Sequence, residues 1–207
     1  MRLAILFALM TLAGCAIGNE YDYRAASAPV PASSAETLAV AVTDHRPYVL
    51  SGDKSPDFVG LQRAGFGIPY NVTTASGAPL ADDLSVLLAN SFAAAGTEVE
   101  IIRLPNGASA DAALEQFKGT AADRFLLIEM LEWKSDHYAQ VTIHWNLVGQ
   151  VYDRSGRLLG EDRIQGTRGT GEGFWSLEAG KNRIVTAEAK RLFGELLARP
   201  SIAGALG

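Results

Sequence analysis

The pattern of hydrophobic and polar positions predicts strands and helices along most of the chain. Thr37–Thr43 is apolar and β-branched and is followed by Pro47, which predicts a strand that ends there. Apolar residues then recur with helical spacing and predict an amphipathic helix that ends at Gly96. Its apolar positions are Leu80, Leu84, Leu87, Leu88, Ser91, Phe92 and Ala95. Thr97–Leu104 is predicted to be a strand, and Asp111–Lys118 a short helix.

The next three predicted elements are strands that follow one another through short turns. Arg124–Lys134 is apolar on both alternating sides, which predicts a strand buried on both faces at the centre of a sheet. From Val141 to Val151 apolar and polar residues alternate, which predicts a strand with one face on the core and one in water. After a turn at Gly156, Leu158–Arg168 returns as a more polar strand, which favours a position at the sheet edge.

The remaining pattern predicts a long final helix and two irregular segments. Tyr48–Gly77 is rich in Gly, Pro, Ser and Asp, and Gly169–Gly173 is predicted to be a flexible loop. A helix capped by Ser176 carries an apolar stripe and ends at Pro200. Together these elements predict an α+β fold, in which two long amphipathic helices pack on one face of a mixed, mainly antiparallel sheet.

The first residues have the pattern of a bacterial lipoprotein signal. Arg2 precedes the uncharged run Leu3–Leu12, and the small residues Ala13 and Gly14 lead to Cys15, the only cysteine of the chain. The run is about half the length that a membrane-spanning helix needs. We therefore expect cleavage after residue 14 and attachment of a diacylglyceryl group and palmitate to the Cys15 sulfur, since two or three acyl chains hold a protein firmly to a membrane.

These features predict three parts of the chain, which are a signal peptide (1–14), a lipidated N-terminus with a flexible tether (15–36) and one periplasmic α+β domain (37–207). Ala16 stands where lipoproteins retained at the inner membrane usually carry Asp, so we expect an outer-membrane lipoprotein that faces the periplasm. The sequence has 18 Lys and Arg against 23 Asp and Glu, and its formal charge without Arg2 is −6. No basic cluster interrupts the acidic balance, which argues against a nucleic-acid partner.

Few residues suggest chemistry. The three histidines have no metal-ligand spacing, and no motif predicts a metal or another cofactor. His144 is predicted to be solvated, and His137 lies in a predicted turn, where surface polarity is the favoured interpretation. His45 lies between Asp44 and Arg46 at a strand end, where a turn held by those two charges is favoured over a catalytic site. We therefore expect a non-enzymatic protein.

Two loop segments are better candidates for a contact surface than for catalysis. Aromatic side chains in glycine-rich loops offer a large contact area at little entropic cost, and they also fold back onto cores. The predicted interaction surface consists of Asp44, Arg46, Phe66, Tyr70, Phe174 and Trp175. We expect its partner to be another envelope protein or a second copy of this chain.

Taken together, the lipoprotein signal, the strand running into Asp44 and Arg46, the helix around Leu80 and the three-stranded meander resemble the YajG-like outer-membrane lipoproteins. That resemblance implies a periplasm-facing lipoprotein and supplies no catalytic residues, and the segment Gly65–Tyr70 has no counterpart in it. A weaker likeness is to accessory lipoproteins of ABC-type lipid transport systems. A third hypothesis is a hydrolase that uses His45 or His137.

Overall fold

The computed structural model describes residues 20–63, 67–173 and 178–207, which form one eight-stranded sheet and five helices. The strands are β1 (Glu20–Tyr21), β2 (Thr37–Asp44), β3 (Phe58–Arg63), β4 (Pro69–Thr74), β5 (Glu98–Ile101), β6 (Arg124–His137), β7 (Gln140–Asp153) and β8 (Leu158–Gly173). The helices are α1 (Pro47–Leu50), α2 (Leu80–Ala94), α3 (Ala110–Phe117), α4 (Glu178–Leu197) and α5 (Pro200–Leu206).

Strand β6 is the central strand of the sheet, because it pairs with three other strands, one along one edge and two along the other. One edge pairs with β7 over its whole length, and β7 pairs in turn with β8. The other edge is shared by two shorter strands, since β2 pairs with Arg124–Met130 and β3 with Ser135–His137. β5 extends the sheet beyond β2, whereas β4 and then β1 extend it beyond β3. The sheet therefore divides into two branches along one side of β6.

The mixed sheet is confirmed, but parallel pairing is more extensive than the sequence pattern predicted. Among the described residues, four of the seven strand pairs are parallel. Parallel strands need crossover connections, and α3 supplies one of them between β5 and β6. The antiparallel ladders of the β6–β7–β8 meander and the β3–β4 hairpin are longer, however, and contain most of the paired residues, as the prediction of a mainly antiparallel sheet required.

Two hydrophobic clusters lie on opposite sides of β2. Leu38, Val40 and Val42 belong to the larger cluster, whereas the alternating Ala39 and Ala41 belong to the smaller one. Both long helices, α2 and α4, contribute apolar residues to the larger cluster, as does α5. Helix α3 contributes Ala113 and Phe117 to the smaller cluster. The sheet consequently has helices on both faces, with the two long helices sharing one cluster.

Local sequence signals explain most helix boundaries. Helix α2 has the predicted range and is followed by Gly96, whose positive φ of 91° suits the end of a helix. The predicted N-cap of α4, Ser176, lies outside the described residues. Pro200 separates two helices, because it cannot continue α4 but is well suited to the first turn of α5.

Two segments predicted to be irregular are strands. Within Tyr48–Gly77 lies the β3–β4 hairpin, and Gly60 of β3 approaches Ser135 of β6 so closely that a Cβ atom at position 60 would overlap it. The predicted loop Gly169–Gly173 continues β8, which remains paired with β7 as far as Gln140. In both cases tertiary pairing outweighs the low strand propensity of glycine.

Residues 20–34 pack on the domain, although they fall in the segment 15–36 that was expected to be a flexible tether; residues 15–19 lie outside the described residues. Tyr21 and Tyr23 are buried, and Trp133 Nε1 donates a hydrogen bond to the Tyr23 hydroxyl over 3.1 Å. Farther along, the Ala28 amide donates to Ser91 Oγ over 2.8 Å, and the Ser34 amide donates to the Leu206 carbonyl over 2.9 Å. The described part of the expected tether is therefore held by contacts with β6, α2 and α5.

The predicted lipidation site, Cys15, and the predicted signal peptide, 1–14, lie outside the described residues. None of the helices in the described ranges combines the length and apolar character that a membrane crossing by a helix requires.

Candidate functional site

Asp44 and Arg46 lie at the point where the two branches of the sheet meet β6. Strand β2 ends with Asp44 beside Met130, and β3 begins to pair with β6 only at Ser135. The β6 backbone between these positions therefore has no strand partner along this edge. The Arg46 side chain lies in this gap, where it contacts both β3 and β6.

The Arg46 guanidinium supplies the hydrogen bonds that a neighbouring strand would otherwise supply. Its Nη1 donates to the carbonyls of Phe58 and Trp133 at 2.6 and 3.3 Å, and its Nη2 donates to the Pro56 carbonyl at 3.3 Å. The Asp44 carboxylate accepts from Nη2 at 2.6 Å and from Nε at 2.9 Å. The planar guanidinium thus holds a carboxylate and three carbonyl groups in one cluster.

The electrostatics of this cluster favour the charged pair. Burial by itself lowers the pKa of Arg46, but the hydrogen bonds and charge of Asp44 outweigh it and raise that pKa above its ordinary value. The Tyr48 ring lies 5.5 Å from the guanidinium carbon, and its hydroxyl donates to Glu132 over 2.6 Å. Burial raises the pKa of Tyr48, so its hydroxyl remains a proton donor at neutral pH.

Asp44 and Arg46 were predicted to contribute to an interaction surface, and that prediction is wrong. Their side chains have 0% exposure, so no partner reaches them in this fold. The neighbouring His45 places Nε2 3.0 Å from the Ala108 carbonyl, which the Thr43 hydroxyl also contacts over 3.3 Å. The sequence favoured a turn held by the charges of Asp44 and Arg46 over a catalytic site, and the structure contains this turn. Both side chains are buried, whereas a surface turn was expected.

A second group of residues lies at the other end of β3, where β3 and β6 both finish. Arg63 pairs with Pro69, and Gln62 lies between Tyr70 on β4 and His137 on β6. We call this region the hairpin end and define it by residues 62–63, 67–70 and 136–140. It includes three of the five large apolar side chains that are exposed among the described residues, namely Ile68, Tyr70 and Tyr138.

The predicted interaction residues can be placed only in part. Tyr70 lies at the hairpin end and is 40% exposed, whereas Phe66, Phe174 and Trp175 lie outside the described residues. The described residues next to these positions lie at this end of the sheet, because Arg63 pairs with Pro69 and Gly173 pairs with Gln140. The sequence reasoning missed Tyr138 and Ile68, although a tyrosine in the short turn between two apolar strands is a usable signal for exposure.

His137 is buried at the hairpin end, so the interpretation of surface polarity is wrong. Its ring stacks on Tyr21, and Nε2 lies 3.0 Å from the Tyr21 hydroxyl. Burial, assisted by the charge of Lys181, lowers the pKa of His137 to about 4 despite the opposing charge of Asp136. His137 is consequently neutral at neutral pH and joins the N-terminal segment to β6.

Arg63 and Asp136 form the most defined ion pair at the hairpin end. Arg63 Nη2 and Nε donate to the two carboxylate oxygens over 2.6 and 2.9 Å, and these hydrogen bonds lower the pKa of Asp136. The pair lines a shallow groove of about 320 Å³ together with Tyr138, Gln140 and His144. This bidentate geometry holds the last residue of β3 beside the end of β6.

The candidate histidines do not form a catalytic group. His45 contacts a carbonyl beside the β2 end, whereas His137 contacts a tyrosine at the hairpin end, and His144 lies near the Thr167 hydroxyl at 3.1 Å. In the described part of the chain, no group of three or more His, Cys, Asp and Glu side chains is arranged to hold a metal ion. The hydrogen bonds of His45 and His137 hold segments of the fold together.

No protein-family model matches the sequence, and no curated protein matches it. The structure is similar to the crystal structure of protein XCC0632 from Xanthomonas campestris, a member of DUF330, with a TM-score of 0.54 and 16% identity. That similarity covers 86% of this chain and 91% of the other, and at this identity it shows the fold alone.

More distant similarity is found to two further bacterial structures. The PelC dodecamer from Paraburkholderia phytofirmans gives a TM-score of 0.39 at 14% identity, covering 90% of this chain and 94% of the other. Lipoprotein GNA1162 from Neisseria meningitidis gives 0.31 at 16% identity, covering 76% and 96%. These values are too low to support a functional argument, and the YajG-like resemblance stays a prediction.

Substituting Asp44 should destabilise the fold strongly because it leaves the buried Arg46 charge unpaired. We expect Asp44→Asn to lower the free energy of unfolding by about 3–5 kcal/mol, measured by urea denaturation. The exposed ion pair of Glu115 and Lys118 provides the control, and Glu115→Gln should change stability little. Equal stability of Asp44→Asn and wild type would contradict this assignment.

Stability should fall on acidification because His137 takes up a proton more readily in the unfolded chain. Its pKa rises from about 4 in the fold to its ordinary 6.5 on unfolding, so the unfolded chain binds more protons between these values. We expect this residue to contribute up to about 3 kcal/mol of stability that is present above pH 6.5 and lost towards pH 4. Urea denaturation across this range should show a smaller change in the free energy of unfolding with pH for His137→Gln than for wild type; an unchanged pH dependence in His137→Gln would contradict the prediction.

Proposed function

We propose that this chain is a lipid-anchored lipoprotein of the outer membrane that faces the periplasm and acts as a non-enzymatic binding or assembly module of the cell envelope. The observation that carries the proposal is the short distance in sequence between Cys15, which ends the lipoprotein signal, and Glu20, the first residue of strand β1. A lipidation site followed directly by a folded domain is suited to holding that domain at a membrane surface.

The chemistry of the signal supports attachment through the Cys15 sulfur. A thiol can accept a diacylglyceryl group as a thioether, and the small residues Ala13 and Gly14 fit the narrow pocket of a signal peptidase. Each buried methylene of an acyl chain contributes about 0.8 kcal/mol, so two or three chains give stable attachment. Ala16 after the cysteine favours transport to the outer membrane.

The structural contacts of the candidate catalytic residues support a non-enzymatic role. Asp44 and Arg46 bridge the two branches of the sheet, and His45 and His137 hold a loop and the N-terminal segment. The hydrolase hypothesis would require one of these histidines beside a serine and an acid. Their observed partners are instead a backbone carbonyl and a tyrosine, so we do not favour that hypothesis.

The partner in this proposal is another envelope protein or a second copy of the chain. The alternative role, an accessory lipoprotein of an ABC-type lipid transport system, would use an apolar groove between the helices and the sheet. That region is filled by side chains with no exposure, including Leu84, Leu88, Leu126, Val185 and Leu192. We therefore favour binding or assembly at the protein surface over transport of a lipid through the core.

Cys15 should carry the lipid. We expect cells grown with radiolabelled palmitate to label the wild-type chain, and we expect Cys15→Ser to remain unlabelled and to leave the membrane fraction, since no other cysteine is present. A serine substitution at the exposed residue Tyr138 serves as a control that should keep the label. Equal labelling of wild type and Cys15→Ser would remove the basis of the proposed function.

A binding or assembly role should be visible as a discrete adduct in intact cells. We expect amine-reactive crosslinking of the wild-type chain to produce a defined band, and we expect Cys15→Ser to lose it because the domain is no longer held at the envelope. Coexpression of two differently tagged copies distinguishes self-association, where both tags occur in one band, from a different protein partner. A wild-type chain that forms no discrete adduct would argue against this role.

A further inference from the structure

The exposed apolar side chains of the hairpin end lie close together. Tyr70, Gln62 and His137 follow one another across β4, β3 and β6, and Tyr138 comes directly after His137. Adjacent strands are about 4.8 Å apart, so the backbones of Tyr70 and Tyr138 are separated by on the order of 10 Å. Ile68, Tyr70 and Tyr138 are 52%, 40% and 60% exposed, and they give this end of the sheet an apolar rim.

The N-terminal strand enters the domain from the same end. β1 pairs in parallel with β4, with Glu20 beside Thr73 and Tyr21 beside Thr74. Since β4 begins at Pro69 in the hairpin end, the N-terminal end of β1 is directed towards the hairpin end. Glu20 lies four residues along β4 from Pro69, a distance of about 13 Å.

The length of the chain before Glu20 limits how far the lipidation site can lie from this rim. Glu20 is five positions after Cys15, and a fully extended chain spans at most about 18 Å over five residue steps. The headgroup layer on one side of a bilayer is about 5–8 Å thick. An anchor at Cys15 therefore cannot hold the hairpin end far from the membrane when the N-terminal strand points towards it.

From this geometry we propose that the hairpin end lies in the lipid headgroup layer, with Ile68, Tyr70 and Tyr138 in contact with the membrane. The inference rests on the proposed function, because it requires acyl chains on Cys15. It adds a second membrane contact to the anchor and fixes the orientation of the domain, so that the far ends of β6, β7 and β8, near Arg124, Asp153 and Leu158, point away from the bilayer. A protein partner then approaches the remaining surfaces.

The chemistry of the rim suits this environment. Tyrosine places an apolar ring at the edge of the hydrocarbon region and keeps its hydroxyl in contact with water and headgroups, which is why it is enriched at membrane interfaces. The Arg63–Asp136 ion pair beside the rim leaves both side chains partly exposed, at 34% and 21%, and the headgroup layer accommodates such polar groups. The rim and its polar border together match a lipid surface.

Spin labels on the lipidated full-length chain test the proposal. Tyr70→Cys and Tyr138→Cys each introduce one reactive thiol, because acylated Cys15 is a thioether, and the matched control is Leu158→Cys. Leu158 has 46% exposure and lies at the opposite end of the meander, on the order of 35 Å away. In vesicles of phosphatidylethanolamine and phosphatidylglycerol, nitroxides at positions 70 and 138 should collide with oxygen several-fold more, relative to a water-soluble nickel chelate, than the label at 158.

The outcomes separate this inference from the proposed function. If palmitate is present on Cys15 but the labels at 70 and 138 behave like the label at 158, the membrane contact is wrong and the lipid anchor stands. If the labels are shielded from both reagents and show spin–spin broadening, a second copy covers the rim and the proposal is overturned. Absence of palmitate from the wild-type chain overturns the proposed function and this inference together.

Discussion

The buried ion pair between Arg46 and Asp44 allows one long strand, β6, to pair with two separate branches of the sheet along the same edge. β6 pairs with β2 over its first half and with β3 near its end, and the backbone between them needs other hydrogen-bond partners. Arg46 supplies donors to both β3 and β6, while Asp44 neutralises its charge. A neutral side chain with fewer donors would leave carbonyl groups in this gap unsatisfied, so charge and geometry are both required here.

The sequence was most informative where a single periodicity continued over many residues. Helix α2 was predictable because its leucines keep one face over four turns, and β6 because both of its alternating faces are apolar. The β7 alternation also identified the side that packs on the core, with Val141, Ile143 and Leu147 buried. In these elements local pattern and tertiary environment require the same residues, and prediction from sequence succeeds for that reason.

Elements that depend on distant partners were not predictable in the same way. The N-terminal segment has a linker composition, and nothing local indicates that Tyr23 fills a space beside Trp133. β3 contains Gly60, whose low strand propensity hides the close approach to Ser135 that requires it. For the candidate site, the spacing of Asp44 and Arg46 indicated their pairing but not their burial, which depends on β3 and β6 closing over them.

The packing of residues 20–34 against the C-terminal helices connects the two ends of the polypeptide. Ser34 forms a hydrogen bond with Leu206, and Pro29 lies against Gly194, so residues 20–34 reach their final positions only when the C-terminal helices are present. Completion of the native state therefore requires the C-terminal helices, because residues 20–34 pack against them. Such long sequence separation between contacts also slows folding.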